Sequence, residues 1–538
     1  MARALLPVLL YILTTLQLSD QKEYHEALRS AAPPISRNAA ERHPDYWAEE
    51  ARRGIEARLR RGDVDGAADG GADGGADGGA AGVRNVVLFL GDGMSGATLA
   101  AARALLGQRR GLTGEETQLS FEKFPTVGLA KTYCVDAQVA DSACAATAYL
   151  CGHKANLGTV GVTSHVRRAD CAPLAPNETV DSIAAWALND GRDAGIVTTT
   201  RVTHASPAGA FAHAAERDWE SDADVAAACA AGGARPADIA YQLVHSFPGN
   251  RFKVILGGGR SEFLPNNMTD EEGTKGKRLD GRNLIEDWMN DKAARNVIHR
   301  YVWNREQLLR LSLSPPEYVL GLFGGSHMQY NLLSDPTTQP SLADMTEIAL
   351  RSLIRNSKGF FLFVEGGRID HGHHENMASL ALDETIQLSE AVQRAVDLLP
   401  PADSLLVVTA DHSHTMSYSG YARRGSAVLG RADGAGADRV PYTTLSYANG
   451  PGARPAAGGQ RVDVTADDDF GGAQWRFPAL VPLGSAAHGG EDVAVFARGP
   501  HQRLLSGLYE QSQLPHLMAF AGCFGPGPRA CNRTQPCS

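Results

Sequence analysis

The chain has 538 residues, 43% hydrophobic and 21% charged, with a formal net charge of -10. That is enough apolar sequence for a large globular core, and the acidic balance leaves no basic footprint for nucleic acid. The length exceeds the usual single domain but suits one α/β sheet elaborated by insertions.

Residues 1–19 carry Arg3 ahead of a short apolar run and read as a secretory signal peptide, an uncleaved anchor being the alternative. Residues 20–61 form an N-terminal segment ending in an amphipathic helix over 45–61, with Trp47, Ala51, Ile55 and Leu59 at four-residue spacing. The Gly, Ala and Asp repeats of residues 62–83 offer few side chains able to pack and predict a flexible linker. Its aspartates lack the spacing and closing Glu of a calcium loop. Strand-like runs then alternate with helix-like ones, 181–188 and 379–392 among them, which argues for βαβ units in a mostly parallel sheet. Between about 420 and 487 the alternation gives way to sequence rich in Gly, Pro, Arg and Asp, expected as an inserted surface subdomain.

Eight cysteines and Asn-x-Thr sequons at Asn177, Asn267 and Asn532 fit a secretory, oxidising compartment. Cys171 with Cys229, and Cys523 with Cys531, are candidate pairs, the connectivity remaining open.

Four apolar runs end on side chains that ligate metals. Residues 85–91 run into Asp92, 194–200 end shortly before His204 and Ser206, 359–364 run into Glu365, and 404–410 into Asp411 and His412. In an open α/β sheet the ligand crevice lies outside the carboxyl ends of the strands, so four such endings can converge. Asp370 and His374 are four apart and share a face if helical. His488 by itself carries little signal. Mixed imidazole and carboxylate donors suit zinc, whereas Asp92, Ser206 and Glu365 form an all-oxygen set suited to magnesium. Ser142, within 139–147, stands where a helix begins. That location favours a capping serine and also presents backbone N–H groups to an anion, so Ser142 is expected to act as both cap and nucleophile.

Asp92, segment 139–147, Glu365 through His374, and residues 410–414 together resemble animal alkaline phosphatases. The resemblance runs from about Pro44 to Cys531 and includes 198–207, 256–260 and 490–500. It implies an α/β, three-layer fold with a large, mostly parallel central sheet flanked by helices. The catalytic domain would span 84–525, with a crown inserted at about 420–487, and a C-terminal tail would follow over 526–538. The implied reaction is hydrolysis of phosphate monoesters, those on proteins included, through a phosphoserine on Ser142. One zinc would take Asp370, His374 and His488, a second Asp92, Asp411 and His412, and magnesium Asp92, Ser206 and Glu365. Arg217 matches the family's phosphate-binding arginine, a surface ion pair being its plainer reading. His204 and His371 match positions near magnesium and phosphate that tune rather than ligate.

The family's calcium-type site would be absent, because Gly324 and Gln339 stand where two acidic donors are needed, with Glu271 or Glu272 as a remnant. The helix at 45–61 resembles the segment that embraces a neighbouring subunit, and Tyr421 a tyrosine that reaches across the dimer, so a homodimer is implied. No apolar tail precedes Ser538, which predicts an extracellular, secreted protein; a lipid anchor at the cell surface, with membrane contact only then, is the alternative. The competing readings are a phosphodiesterase, sulfatase or phosphonate hydrolase, and an inert receptor that kept the fold. Ser142, Arg217 and the complete ligand set favour the monoesterase.

Overall fold

Strands that are apolar at nearly every position cannot face water on either side, so they belong in the middle of a sheet covered by helices. The computed structural model describes residues 39–61, 82–229, 235–456 and 458–532. The expected signal peptide, nearly all of the linker and the last six residues lie outside the described residues. The main sheet uses β1 (Asn85–Gly91), β2 (Thr126–Lys131), β3 (Asp193–Arg201), β4 (Val254–Gly258), β5 (His299–Val302), β6 (Tyr318–Leu322), β7 (Phe360–Gly366) and β8 (Ser404–Thr409). Past β9 (Ser413–His414), β10 (Met416–Tyr418), β11 (Leu445–Gly450), β12 (Ala479–Pro482) and β13 (His488–Gly489), it takes β14 (Val493–Arg498) and β15 (Gly507–Glu510). The strand order is β15-β2-β14-β8-β1-β7-β3-β4-β6-β5. Only β14 runs against its neighbours β2 and β8, so the expected mostly parallel sheet is the one observed.

Every residue of β1, β7 and β8 is buried. Each fully buried Val, Leu or Phe there contributes about 1.5–3 kcal/mol. The helices that bear on the site and its surroundings are α1 (Pro44–Arg61), α2 (Gly96–Arg109), α3 (Ser142–Cys151), α4 (Ile183–Asn189), α5 (Leu342–Leu353), α6 (Arg368–His374), α7 (Ala378–Leu398) and α8 (Leu514–Gly522). One group, α2, α5 and α7, packs together over the sheet, and a second brings together α3, α4 and α8. On α1, Trp47, Ala51 and Ile55 are buried at the spacing expected for an amphipathic helix, and Arg58 also turns inward to donate to Gln513 at 3.1 Å. A separate three-stranded sheet, β10-β11-β12, occupies the irregular region, starting a few residues before the expected insert.

Cys171 and Cys229 are joined, as the sequence suggested, and a second disulfide links Cys134 to Cys144. The turn at 523–531 brings the other candidate pair together, with the Cys531 N–H 2.8 Å from the Cys523 sulfur.

Glu384 on α7 is a buried acid whose closest partner is a backbone amide, the Asn331 N–H at 2.7 Å. Burial pushes its carboxyl up to about 7, against the pull of that amide and of Arg368. A carboxyl raised on folding stabilises fully below its unfolded pKa near 4.5, and the contribution is lost as pH rises through about 7. Replacing it with a neutral isostere, Glu384→Gln, is therefore expected to stabilise the protein at pH 9 relative to wild type by up to about 3 kcal/mol more than at pH 5. Thermal melts of both proteins at the two pH values check this; an equal difference at both would contradict the assignment.

Candidate metal centre

The strand order explains how distant ligands meet. β8, β1, β7 and β3 are consecutive neighbours, and the pairings Gly91 with Gly366, Leu90 with Thr409 and Thr198 with Glu365 bring their carboxyl ends level. Asp92, Glu365, Asp411 with His412, and the turn carrying His204 and Ser206 thus open into one crevice. Gly93 makes this possible: its φ is +64°, and a Cβ there would lie 2.9 Å from Asp370 Oδ1. A side chain at this position would push into the ligand set.

Directly after β7 the chain turns into α6, so Asp370 and His374 share a face as expected, with Asp370 Oδ2 3.0 Å from His374 Nε2. His488, on β13, reaches the same place, its Nε2 3.6 Å from Asp370 Oδ1 and 3.2 Å from His374 Nε2. The second group lies alongside: His412 Nε2 is 3.1 Å from Asp411 Oδ2 and 3.5 Å from Asp92 Oδ1. Ser142 Oγ stands 3.2 Å from that same nitrogen.

The backbone sets the imidazole orientations. Nδ1 of His374, His412 and His488 lies 2.6, 3.1 and 2.7 Å from the carbonyls of Ala486, Ser413 and Ala140. Each Nδ1 therefore carries the hydrogen and each Nε2 presents a lone pair, the arrangement that carbonyl partners impose on ligating histidines. Two such lone pairs facing each other at 3.2 Å repel unless a cation lies between them.

The carboxylates carry the same message. Asp92, Glu365, Asp370 and Asp411 are at most 3% exposed. Both oxygens of Asp92, Glu365 Oε1, Asp370 Oδ1, Asp411 Oδ2 and the hydroxyl of Ser206 are buried without a hydrogen-bond partner. Burial, with the charges of Asp411 and Asp370 nearby, raises Asp92 well above the usual carboxylate range. Burial likewise lifts Glu365 to about 7 and Asp411 to about 6. Asp370 differs: burial opposes its charge, but positive charge taken up beside it by His374 and His488 when no cation lies among them holds it well below the usual range. Buried anions this crowded are costly unless cations neutralise them, so the donor set fits divalent metal ions.

Ser142 is the first residue of α3, but it is not the cap. Asp141 takes that role, accepting the amides of Cys144 and Ala143. A carboxylate outcompetes the hydroxyl for these amides because the bonds are charge-assisted, which leaves the Ser142 Oγ for the crevice. Arg217 is not on the surface either. It is 4% exposed, its Nη1 donating to Asp141 Oδ2 at 3.0 Å and its Nη2 lying 3.1 Å from His204 Nε2.

Two further histidines lie beside these groups. His414 lies with its Nε2 3.5 Å from Asp370 Oδ1 while its Nδ1 accepts the Thr415 N–H, so its ring hydrogen faces that carboxylate. His327, from the Gly-rich turn after β6, meets His371 and His204 edge to face at 4.4 and 5.3 Å between ring centroids. His414 falls within the 410–414 run that carries the resemblance but was given no role there, and His327 was not singled out because only the fold brings it near. His373, between two ligand-bearing turns of α6, faces away, held by Thr98 Oγ1 and the Tyr447 hydroxyl at 2.9 Å each.

At the position of the expected calcium-type remnant, the acidic side chains are already engaged. Buried Arg260 takes Asp270 at 2.8 Å and also Glu272. Gln339 bridges the backbone of Gln329, accepting its N–H at 2.8 Å and donating to its carbonyl at 2.9 Å. Glu272 is thus the acid of an ion pair rather than a spare donor.

With this geometry in hand, the similarities to known proteins are informative. The family model for alkaline phosphatase matches residues 83–524. The chain is 56% identical over 514 residues to a membrane-bound alkaline phosphatase from Bombyx mori, covering 95% of this chain and 91% of that one. It is 47% identical over 498 residues to the tissue-nonspecific alkaline phosphatase of Gallus gallus, covering 91% and 92%. Among solved structures, the Thermus thermophilus alkaline phosphatase superimposes with a TM-score of 0.57 at 24% identity, over 82% of this chain and 91% of that one, a likeness of fold.

Proposed function

We propose, from the premise that the chain belongs to the alkaline phosphatase family and is a phosphate-monoester hydrolase, that it works through a phosphoserine on Ser142 at a site for two zinc ions and one magnesium ion. Asp370, His374 and His488 would hold one zinc, Asp92, Asp411 and His412 the other, and Asp92, Ser206 and Glu365 the magnesium. When bound, these ions neutralise the buried carboxylates, polarise the ester phosphate and make the serine hydroxyl more acidic.

The chain's own groups do the rest. Ser142 Oγ attacks phosphorus in line, its proton leaving to solvent as the bond from phosphorus to the alcohol oxygen breaks. The alcohol takes up a proton and departs. Water then attacks the phosphoserine from the opposite side and gives up a proton, the bond from phosphorus to Oγ breaks, Oγ takes a proton back, and inorganic phosphate leaves. Arg217, steadied by Asp141, offers a forked pair of donors to the equatorial oxygens throughout. The positive end of α3 faces the same oxygens, its Ala143 and Cys144 amides already taken by Asp141.

The observation that carries this reading is Ser142 Oγ at 3.2 Å from His412 Nε2, freed from capping and facing the crowded carboxylates. Purified protein is expected to hydrolyse an aryl phosphate at alkaline pH, to lose at least about a hundredfold in rate on chelation, and to recover with zinc plus magnesium. Hydrolysis indifferent to chelation would overturn the metal assignment, and preference for an aryl sulfate or a diaryl phosphate would overturn the substrate class. The two disulfides support an oxidising, extracellular location. No helix among the described residues is long and apolar enough to cross a membrane. A homodimer accounts for Tyr421, which is 94% exposed in the single chain.

A further inference from the structure

Three groups that the phosphoryl-transfer reading needs hang from one short stretch of chain. The Ala140 carbonyl takes the Nδ1 hydrogen of His488 at 2.7 Å. Asp141 receives Arg217 Nη1 at 3.0 Å together with the amides of Ala143, Cys144 and Gly158 at 3.3, 3.2 and 2.9 Å. Ser142 follows immediately. The crest just before them, Asp136 and Gln138 with Val139, faces solvent. Hydrogen bonds hold this crest, the Leu157 N–H to Asp136 Oδ1 at 2.8 Å and the Cys134 N–H to the Ala137 carbonyl at 3.1 Å, and an exposed turn held by such bonds still moves on the timescale of loops.

A covalent restraint is added by the Cys134–Cys144 disulfide, which closes the stretch across a sequence separation of 10. Both cysteines are 2% exposed. On the upstream side the chain is clamped where it leaves β2: buried Lys154 donates to the carbonyls of Lys131 and Tyr133 at 3.1 and 2.8 Å, and the Val135 N–H bonds the Ala155 carbonyl at 3.0 Å. On the downstream side Cys144 lies in the first turn of α3, and its own N–H is one of those that orient Asp141.

We propose that the Cys134–Cys144 disulfide is a positioning element for the reaction. It ties the first turn of the nucleophile's helix to the clamped end of β2 and so holds Ala140, Asp141 and Ser142 at fixed spacing. This rests on Ser142 being the nucleophile. Loosening the turn displaces three groups together: the nucleophile, the arginine that grips phosphate through Asp141, and His488. Displacement of an ångström in such a constellation costs up to about a hundredfold in rate.

The test uses the full-length, metal-loaded protein. Cys134→Ser/Cys144→Ser is expected to lower kcat about tenfold or more and to raise the inhibition constant of inorganic phosphate severalfold, at temperatures well below its melting point. Cys171→Ser/Cys229→Ser, which opens the other disulfide, is expected to change the melting point but neither constant. A purely structural crosslink would show the second pattern in both variants, and wild-type kcat with wild-type phosphate inhibition in the first variant overturns the proposal. If that variant fails to fold, the wild-type protein is reduced with a trialkylphosphine while labelling of Cys134 and Cys144 is followed by peptide mass. Loss of kcat in step with their labelling, restored on reoxidation, supports the proposal, and unchanged kcat with both labelled overturns it. Ser142→Ala run in parallel separates the two failures: turnover surviving in that variant sinks the nucleophile reading itself, whereas an inactive Ser142→Ala beside a fully active disulfide variant sinks only the positioning role.

Discussion

Ser142→Ala is expected to lower kcat for an aryl phosphate by about four orders of magnitude or more, with the melting point and metal content close to wild type. The size follows from what the hydroxyl does: among the described residues no other buried hydroxyl lies beside both His412 Nε2 and the Arg217–Asp141 pair, so its loss leaves only direct attack by water. The stability expectation follows from what it does not do. Asp141 caps α3, and alanine is at least as good as serine within the helix, so nothing structural depends on Oγ. Steady-state assays and trapping of radiolabelled phosphate on the wild-type protein at acid pH check both halves. Turnover within tenfold of wild type, or a labelled protein with alanine at 142, would exclude the covalent route.

Asp370→Ala is expected to remove one zinc per chain and to lower kcat by about three orders of magnitude, the effect of several kcal/mol at a centre where metals stabilise charge. Asp370 gathers His374, His414 and His488 around one carboxylate. Without it, three imidazoles converge with no anion among them, and a cation loses the one charged ligand that it shares with His374 and His488. Elemental analysis of zinc and magnesium after dialysis, beside kcat, reads the result. Full zinc content in the variant would remove Asp370 from the ligand set. Activity lost with zinc retained would assign it a role in the chemistry instead.

These two residues differ in how they could be read. Asp370 and His374 were legible because four-residue spacing becomes one helical face, and the structure supplies that helix. The runs ending at Asp92, Glu365 and Asp411 were legible because parallel strands covered on both faces must be apolar throughout and must stop at the crevice. Ser142 was located correctly at a helix start, yet the cap is Asp141, since one residue along the chain decides which side chain points back at the amides. Arg217 had a surface ion pair as its plainer reading and is buried instead, because Asp141 and His204 come from other parts of the chain.

The sequence by itself determined the class of fold, the strand ends that carry the candidate ligands and, through long motif runs, the family. Those are properties of local pattern: periodicity, apolar continuity and the residue type at each ending. Only the tertiary structure decided that β8, β1, β7 and β3 are neighbours, that carbonyls of residues 140, 413 and 486 aim the imidazoles, that His327 and His414 join them, and that Cys134 is bound to Cys144. The physical reason is that the order of strands in a sheet and the partner of a side chain depend on packing between segments hundreds of residues apart, and no local window of sequence contains that information.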